Sequence, residues 1–253
     1  MKMAGQHLGL AIAFIYVCLE LIGIGILLLF YLKIRHLRIQ RKTKEYLQKH
    51  QDYFMFLQAH LGDAEELPLP PGKLTELERR VIQQRVTEWI EQFKGDLQQK
   101  LIALCYNAGF VQQDLKLLDS LFYGRRIAAA YRLGGMRAVE AVPRLLTMLK
   151  HQKYSPLSIV IARSIAKSAE HEQQLRDMLV YLLRHGKPIH HLAADILMET
   201  RLDTSRLLLQ LMKEDNPDLV KVAMAAMRGQ EMPGQVPALG RYAFALERRE
   251  TTA

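Results

Sequence analysis

The sequence predicts an all-α protein, with one N-terminal transmembrane helix followed by a short α-solenoid of stacked helix pairs. Three observations carry that prediction. Residues Leu8 to Leu32 form one apolar stretch of 25 positions with a single formal charge, Glu20, and a dense basic run follows at once. Past that run, apolar residues recur at three- and four-residue steps, the period of amphipathic helices. Prolines and alanines then repeat together at a spacing near 30 residues, the mark of stacked helical units.

The apolar stretch comes first. At about 1.5 Å per residue it reaches roughly 37 Å, enough to cross a hydrocarbon core of about 30 Å with some tilt. On its amino-terminal side the only charges are the α-amine and Lys2, while residues 33–50 hold seven Lys/Arg against one acid, Glu45. The positive-inside bias therefore puts the C-terminal flank in the cytoplasm. The expected arrangement is a single span in the plasma or inner membrane, with residues 1–7 outside and a large cytoplasmic body. A cleaved signal peptide would need a basic n-region, a shorter apolar core and a small-residue cleavage site. Tyr31-Leu32-Lys33-Ile34-Arg35 offers no such site. Glu20 lies near mid-span, where an ionisable group is expensive, so it is a candidate intramembrane contact with a partner helix. Gly5 and Gly9 have the spacing of a close-packing motif, but at the edge of the span.

The basic run continues as a juxtamembrane helix over 33–61, with Tyr46, Leu47, Tyr53, Phe54, Phe56 and Leu57 on its apolar side. Lys33, Arg35, Arg38, Arg41, Lys42 and Lys44 are candidate contacts for anionic lipid headgroups. Residues 62–73, with Leu67-Pro68-Leu69-Pro70-Pro71-Gly72, cannot hold a helix and form a linker. Thr75 and Glu78 then read as a helix start ahead of Leu77, Val81, Ile82, Trp89, Ile90 and Phe93. A helix from Asp96 to Asn107 stopping at Gly109, and another carrying Leu115, Leu118 and Leu121, complete an atypical helical cap over 74–123.

Residues 124–253 read as the repeats. Pro156, Pro188 and Pro217 suit first helical turns, where the missing N–H costs nothing. Six residues after each stands an alanine, Ala162, Ala194 and Ala223, and nine after stands Ile165, Leu197 or Ala226. Gly124, Ala130 and Leu133 extend the frame upstream, and His191 takes a position held elsewhere by Ile127, Ile159 and Val220. Second helices carry their own stripes, among them Val142, Leu145 and Leu149, then Leu175, Leu179 and Leu182, then Leu207 and Leu211. Gly134-Gly135 reads as the turn between two helices. Helix 236–249 is either a closing cap or the first half of a further pair.

The string Arg125-Arg126-Ile127-Ala128-Ala129-Ala130-Tyr131-Arg132-Leu133-Gly134, followed by Ala141-Val142-Pro143-Arg144-Leu145-Leu146, resembles a HEAT-like repeat of the bacterial, phycobilisome-lyase-related type. The resemblance covers roughly 120–249 and speaks to fold far more than to activity. It implies a membrane-anchored HEAT-like protein, a family associated with membrane glycosyltransferases of polysaccharide assembly. It also implies a rival, since similar repeats occur in phycobilin lyases, which attach a tetrapyrrole to an acceptor cysteine.

Chemistry is sparse. His151, His171, His185, His190 and His191 crowd one region, but no pair has the i, i+4 spacing of a helical zinc site. No catalytic constellation, metal site or cofactor site is expected. Cys18 and Cys105 have no plausible pairing, consistent with a reducing compartment. Of the net charge of +9, most is juxtamembrane; a nucleic-acid binder would carry it on the folded domain. Within the body, 124–187 hold twelve Lys/Arg and four acids. Arg125, Arg126, Arg132, Arg163 and Lys167 are therefore the candidates for receiving an acidic partner surface. The function expected is a non-catalytic scaffold that holds a protein partner at the membrane. A lyase, or a lipid- or nucleic-acid-binding module, is the alternative.

Overall fold

The computed structural model describes residues 2–62, 66–72 and 74–229, with side chains from 16 to 228. Among the described residues it contains twelve α-helices, one 3-10 turn and no strand. The chain divides into two units, Met1–Ala59 with Pro71–Ile82, and His60–Pro70 with Gln83–Ala253. The helix expected over 236–249 lies outside the described residues.

The first unit is built on α1 (Lys2–Lys49), with α2 (Gln51–His60) and the beginning of α3 (Glu76–Gln92). From Tyr16 onward α1 is long and apolar enough to cross a membrane, with a window of mean hydropathy 2.3. None of that window is buried, and Leu27 and Leu29 are 71% and 67% exposed. The helix passes from the apolar stretch into the basic run without a break. It is interrupted at His50, whose carbonyl still accepts the Phe54 N–H at 3.0 Å, so the bend costs little hydrogen bonding. Among the described residues of the expected linker none is helical, because prolines 68, 70 and 71 remove donors and restrict φ.

The start of α3 follows the expected signal. The Thr75 N–H donates to Glu78 Oε2 at 2.8 Å, and the Glu78 N–H donates to Thr75 Oγ1 at 3.3 Å, a reciprocal capping box. The other Glu78 oxygen accepts from Lys49 Nζ at 2.7 Å. Glu78 is thereby buried while Lys49 stays largely exposed. The Lys49 bond and the two Thr75 bonds hold the Glu78 carboxyl down at about 2, and the same pairing raises Lys49.

The second unit contains the rest of α3, then α4 (Asp96–Asn107), α5 (Phe110–Leu117), α6 (Tyr123–Gly135), α7 (Val142–His151), α8 (Pro156–Ser168), α9 (Glu172–Leu183), α10 (His190–Leu197), α11 (Ser205–Leu211) and α12 (Pro217–Gly229). Helix α6 lies along α8, α10 lies along α12, and α7 and α8 both pack on α9. Ala130, Ala162, Ala194 and Ala223 are all buried, as are Leu133, Ile165, Leu197 and Ala226. The recurring alanine thus marks an inward-facing register on four alternate helices, α6, α8, α10 and α12, three residues before the aliphatic side chain that shares its face.

Three local expectations need correction. Pro156 and Pro217 open their helices, but α10 begins at His190, two residues past Pro188. There the Ile189 N–H turns back to the Lys187 carbonyl at 2.8 Å and delays the helix. Leu121 is not on an apolar stripe: α5 ends at Leu117, Leu118 is buried, and Leu121 is 98% exposed. The Ser120 N–H closes on the Leu117 carbonyl and the Phe122 N–H on Ser120 Oγ, so the chain leaves the helix before Leu121.

Gly134-Gly135 is the third. Both glycines sit inside the last turn of α6, and the turn follows them. The Ala138 N–H reaches the Leu133 carbonyl at 3.0 Å and the Arg137 N–H reaches Gly134 at 3.1 Å, the paired bonds of a Schellman motif. Its left-handed position is filled by Arg137 at φ 53°. The glycines are present for packing. A Cβ on Gly134 would lie 2.7 Å from Ser164 Cα on α8, and one on Gly135 would strike the Thr87 methyl. Ser164 Oγ uses the close approach to donate to the Ala130 carbonyl at 2.7 Å.

Candidate interaction site

In the second unit the predicted basic residues have different fates. Arg132 is committed internally. Asp114 is buried on α5, and Arg132 grips it through Nη2 at 2.5 Å and Nε at 3.0 and 3.1 Å. Gln83 Nε2 donates to the same carboxylate at 2.6 Å, so the acid is satisfied from two helices. Arg163 and Lys167 share Glu199, at 3.2 and 4.0 Å, and Lys167 also meets Glu91 at 2.8 Å. Arg137, which sequence reasoning missed, donates to the Lys167 carbonyl at 3.1 Å. Its guanidinium is lowered to about 10, by burial first and by neighbouring Arg201 second.

Arg125 and Arg126 instead flank an aromatic step. The Arg125 guanidinium lies 4.8 Å from the centre of the Phe122 ring, and that of Arg126 lies 5.9 Å from Tyr123. Leu121 and Phe122 stand out into solvent beside them. Tyr123 is anchored, because its hydroxyl accepts the Leu157 N–H at 3.3 Å, one of the unpaired donors at the start of α8. A rigid base therefore carries an exposed Leu-Phe tip with two arginines alongside, and arginine is among the residues enriched at interface hot spots. The Leu-Phe-Tyr run ahead of two arginines was the available signal, hidden by the expectation that Leu121 belonged to a buried stripe.

In the first unit the basic run is not a uniform collar. Arg35, Arg38, Arg41 and Lys42 line one groove of about 670 Å³ together with Tyr31, Ile34, Ile39, Glu45 and Leu77. Lys33 and Lys44 do not line it. Glu20 sits on the exposed surface of α1 and Cys18 is half-buried.

His190 Nε2 pairs with Asp218 Oδ1 at 2.8 Å, joining the first turns of α10 and α12, and His191 is exposed. Among the described residues no three His, Cys, Asp or Glu side chains converge as a metal site would require. Burial raises the Cys105 thiol to about 12, with the Asp114 charge adding to it. No family model matches the chain, and no curated protein or solved structure shows a significant similarity to it.

Proposed function

We propose that this chain is a single-pass membrane protein whose helical body serves as a docking scaffold on the cytoplasmic side. One observation carries the reading: a continuous helix whose large apolar side chains from Tyr16 to Leu32 are exposed runs straight into a basic segment. An outward apolar surface on that scale needs a nonaqueous neighbour, and the flanking charge sets the orientation. For the body, the side-by-side packing of α6 with α8 and of α10 with α12, with alanines in one register, supports a HEAT-like solenoid. The docking residues in this reading are Leu121, Phe122, Arg125 and Arg126. A protein tethered this way meets its partner at a raised effective concentration. The repeat resemblance suggests a membrane glycosyltransferase as that partner, with Glu20 available to a helix of the same complex.

The test has two parts. Alkaline carbonate should leave the full chain in the membrane pellet, and substituted cysteines at Lys2 and Leu121 should react with an impermeant maleimide from opposite sides. A photocrosslinker at Phe122 should then give a discrete adduct that Arg125→Glu removes. Release by carbonate, or labelling of both cysteines from one side, would overturn the anchor. A crosslink insensitive to Arg125→Glu would overturn the docking surface.

A further inference from the structure

We infer that the basic groove of α1 is a headgroup site for a lipid carrying a second phosphate outward of its phosphodiester. The inference rests on the single-pass reading above.

The basic residues of α1 divide by angle around the helix. Successive residues on an α-helix are separated by about 100°. On that geometry Arg35, Arg38, Arg41 and Lys42 fall on one side of α1, and Lys33 and Lys44 fall on the other. The groove lining agrees, taking the first four and excluding the other two. Four cations therefore converge against one acid, Glu45, and a lipid with a single phosphate would leave most of that charge unmatched.

The same cations also differ in depth. At about 1.5 Å per residue, Arg35 lies roughly 5 Å beyond Leu32 and Lys42 roughly 15 Å beyond it. The headgroup layer is about 5–7 Å thick on each side of the hydrocarbon. Arg35 thus sits at the level of phosphodiesters, and Arg41 and Lys42 sit outside it. A tilt of about 20°, ordinary for a membrane helix, barely changes that order. The cations are stacked along the membrane normal. They match a headgroup whose second phosphate projects outward, and they mismatch one whose two phosphates lie side by side.

The groove also has a wall. Ile34 and Ile39 supply an apolar floor, and Leu77 closes it from the first turn of α3. That turn is fixed by its neighbour Glu78, which is held by both Thr75 and Lys49. A cleft of about 670 Å³ is ample for one phosphorylated headgroup.

The experiment uses the full chain in phosphatidylcholine nanodiscs doped with phosphatidylinositol 4-phosphate, cardiolipin or phosphatidylglycerol, with matched total charge. Retained lipid is counted by mass spectrometry. Phosphatidylinositol 4-phosphate should be retained above cardiolipin, although both carry two phosphates. Arg38→Gln and Arg41→Gln should each lower its retention about fivefold, the effect of one cation near a charged surface. Lys33→Gln and Lys44→Gln, on the other side of the helix, should change it less than either arginine variant does. Equal losses from both sides would reduce the groove to diffuse electrostatics, and equal or better retention of cardiolipin would refute the stacked geometry. A chain that fails to enter nanodiscs and is released by carbonate would overturn the single-pass reading, and this one with it. A chain that inserts but loses lipid equally from both faces would overturn this one alone.

Discussion

Gly134→Ala tests the packing that joins α6 to α8. The added Cβ would stand 2.6 Å from Ser164 Oγ, 2.7 Å from its Cα and 2.8 Å from its Cβ. Carbon contacts settle at about 3.5–4.0 Å, so the two helices must separate by roughly 1 Å. Rotating the Ser164 side chain cannot relieve this, since one of the three atoms is backbone. Overpacking of this kind costs about 1–3 kcal/mol. The Ser164 bond to the Ala130 carbonyl, 2.7 Å now, would stretch past useful length, a further loss of about 0.5–1.5 kcal/mol. Replacing glycine by alanine inside a helix returns about 1 kcal/mol. The net expectation is a destabilisation of roughly 1–3 kcal/mol, or a fall in Tm of several degrees for a unit of this size.

Gly124→Ala, in the same helix, is the control. Nothing lies within 4 Å of its added Cβ, so it should be neutral or gain up to about 1 kcal/mol. Both substitutions stiffen the unfolded chain alike, so their difference isolates the contact. Urea unfolding of the full chain in detergent, followed by circular dichroism, measures that difference. If Gly134→Ala proved as stable as Gly124→Ala, the close approach of α6 and α8 would be wrong.

Arg132→Leu should cost about 3–5 kcal/mol, because it leaves the buried Asp114 carboxylate without its cation. Adding Asp114→Asn should recover part of that, and a single variant costing under about 1 kcal/mol would mean Arg132 is free at the surface. Glu78 has a depressed folded pKa, so its contribution is complete above its ordinary value of 4.5 and is lost as pH falls toward about 2. Across that window Glu78→Gln should flatten the pH dependence of the unfolding midpoint, and an unchanged slope would count against the Lys49–Thr75 clasp. Cys105, with its thiol raised to about 12, should resist a thiol reagent until the chain unfolds; rapid labelling under native conditions would contradict its burial. Leu121→Ser should move stability by under about 0.5 kcal/mol yet abolish the proposed partner crosslink from position 122.

Much of the fold was legible because local signals and tertiary demands agreed. The Thr75–Glu78 box, the bounds of α4 and the openings of α8 and α12 each rest on chemistry within one turn of chain. Their causes are therefore written next to their effects. Pro188 shows the limit: a proline permits a helix to begin but does not compel it, and here a tight turn at Lys187–Ile189 intervened. Gly134-Gly135 shows another. A glycine kept for φ and a glycine kept for the room it leaves look identical in one sequence. Only the position of Ser164, thirty residues on, separates them. The left-handed Arg137 was unreadable for the same reason, since its compensation is a carbonyl on α8.

Charge was legible in sign and illegible in pairing. Twelve basic residues over 124–187 promised a receiving surface. Yet Arg132, Arg163 and Lys167 turned out to be held by acids at sequence distances of 18 to 76 residues. A count of charges cannot see such partners, because pairing is a property of packed helices, whereas counting treats each side chain as solvated. Arg137 is held by a backbone carbonyl instead, and Arg125 and Arg126 lie beside exposed rings, where attraction to a π face stands in for attraction to a carboxylate. Along α1 the opposite holds. A long helix imposes its own angular order, so the division of the basic run into two faces follows from residue numbers alone. What the numbers could not supply was Leu77, more than thirty residues downstream, which turns a basic face into a groove with a wall.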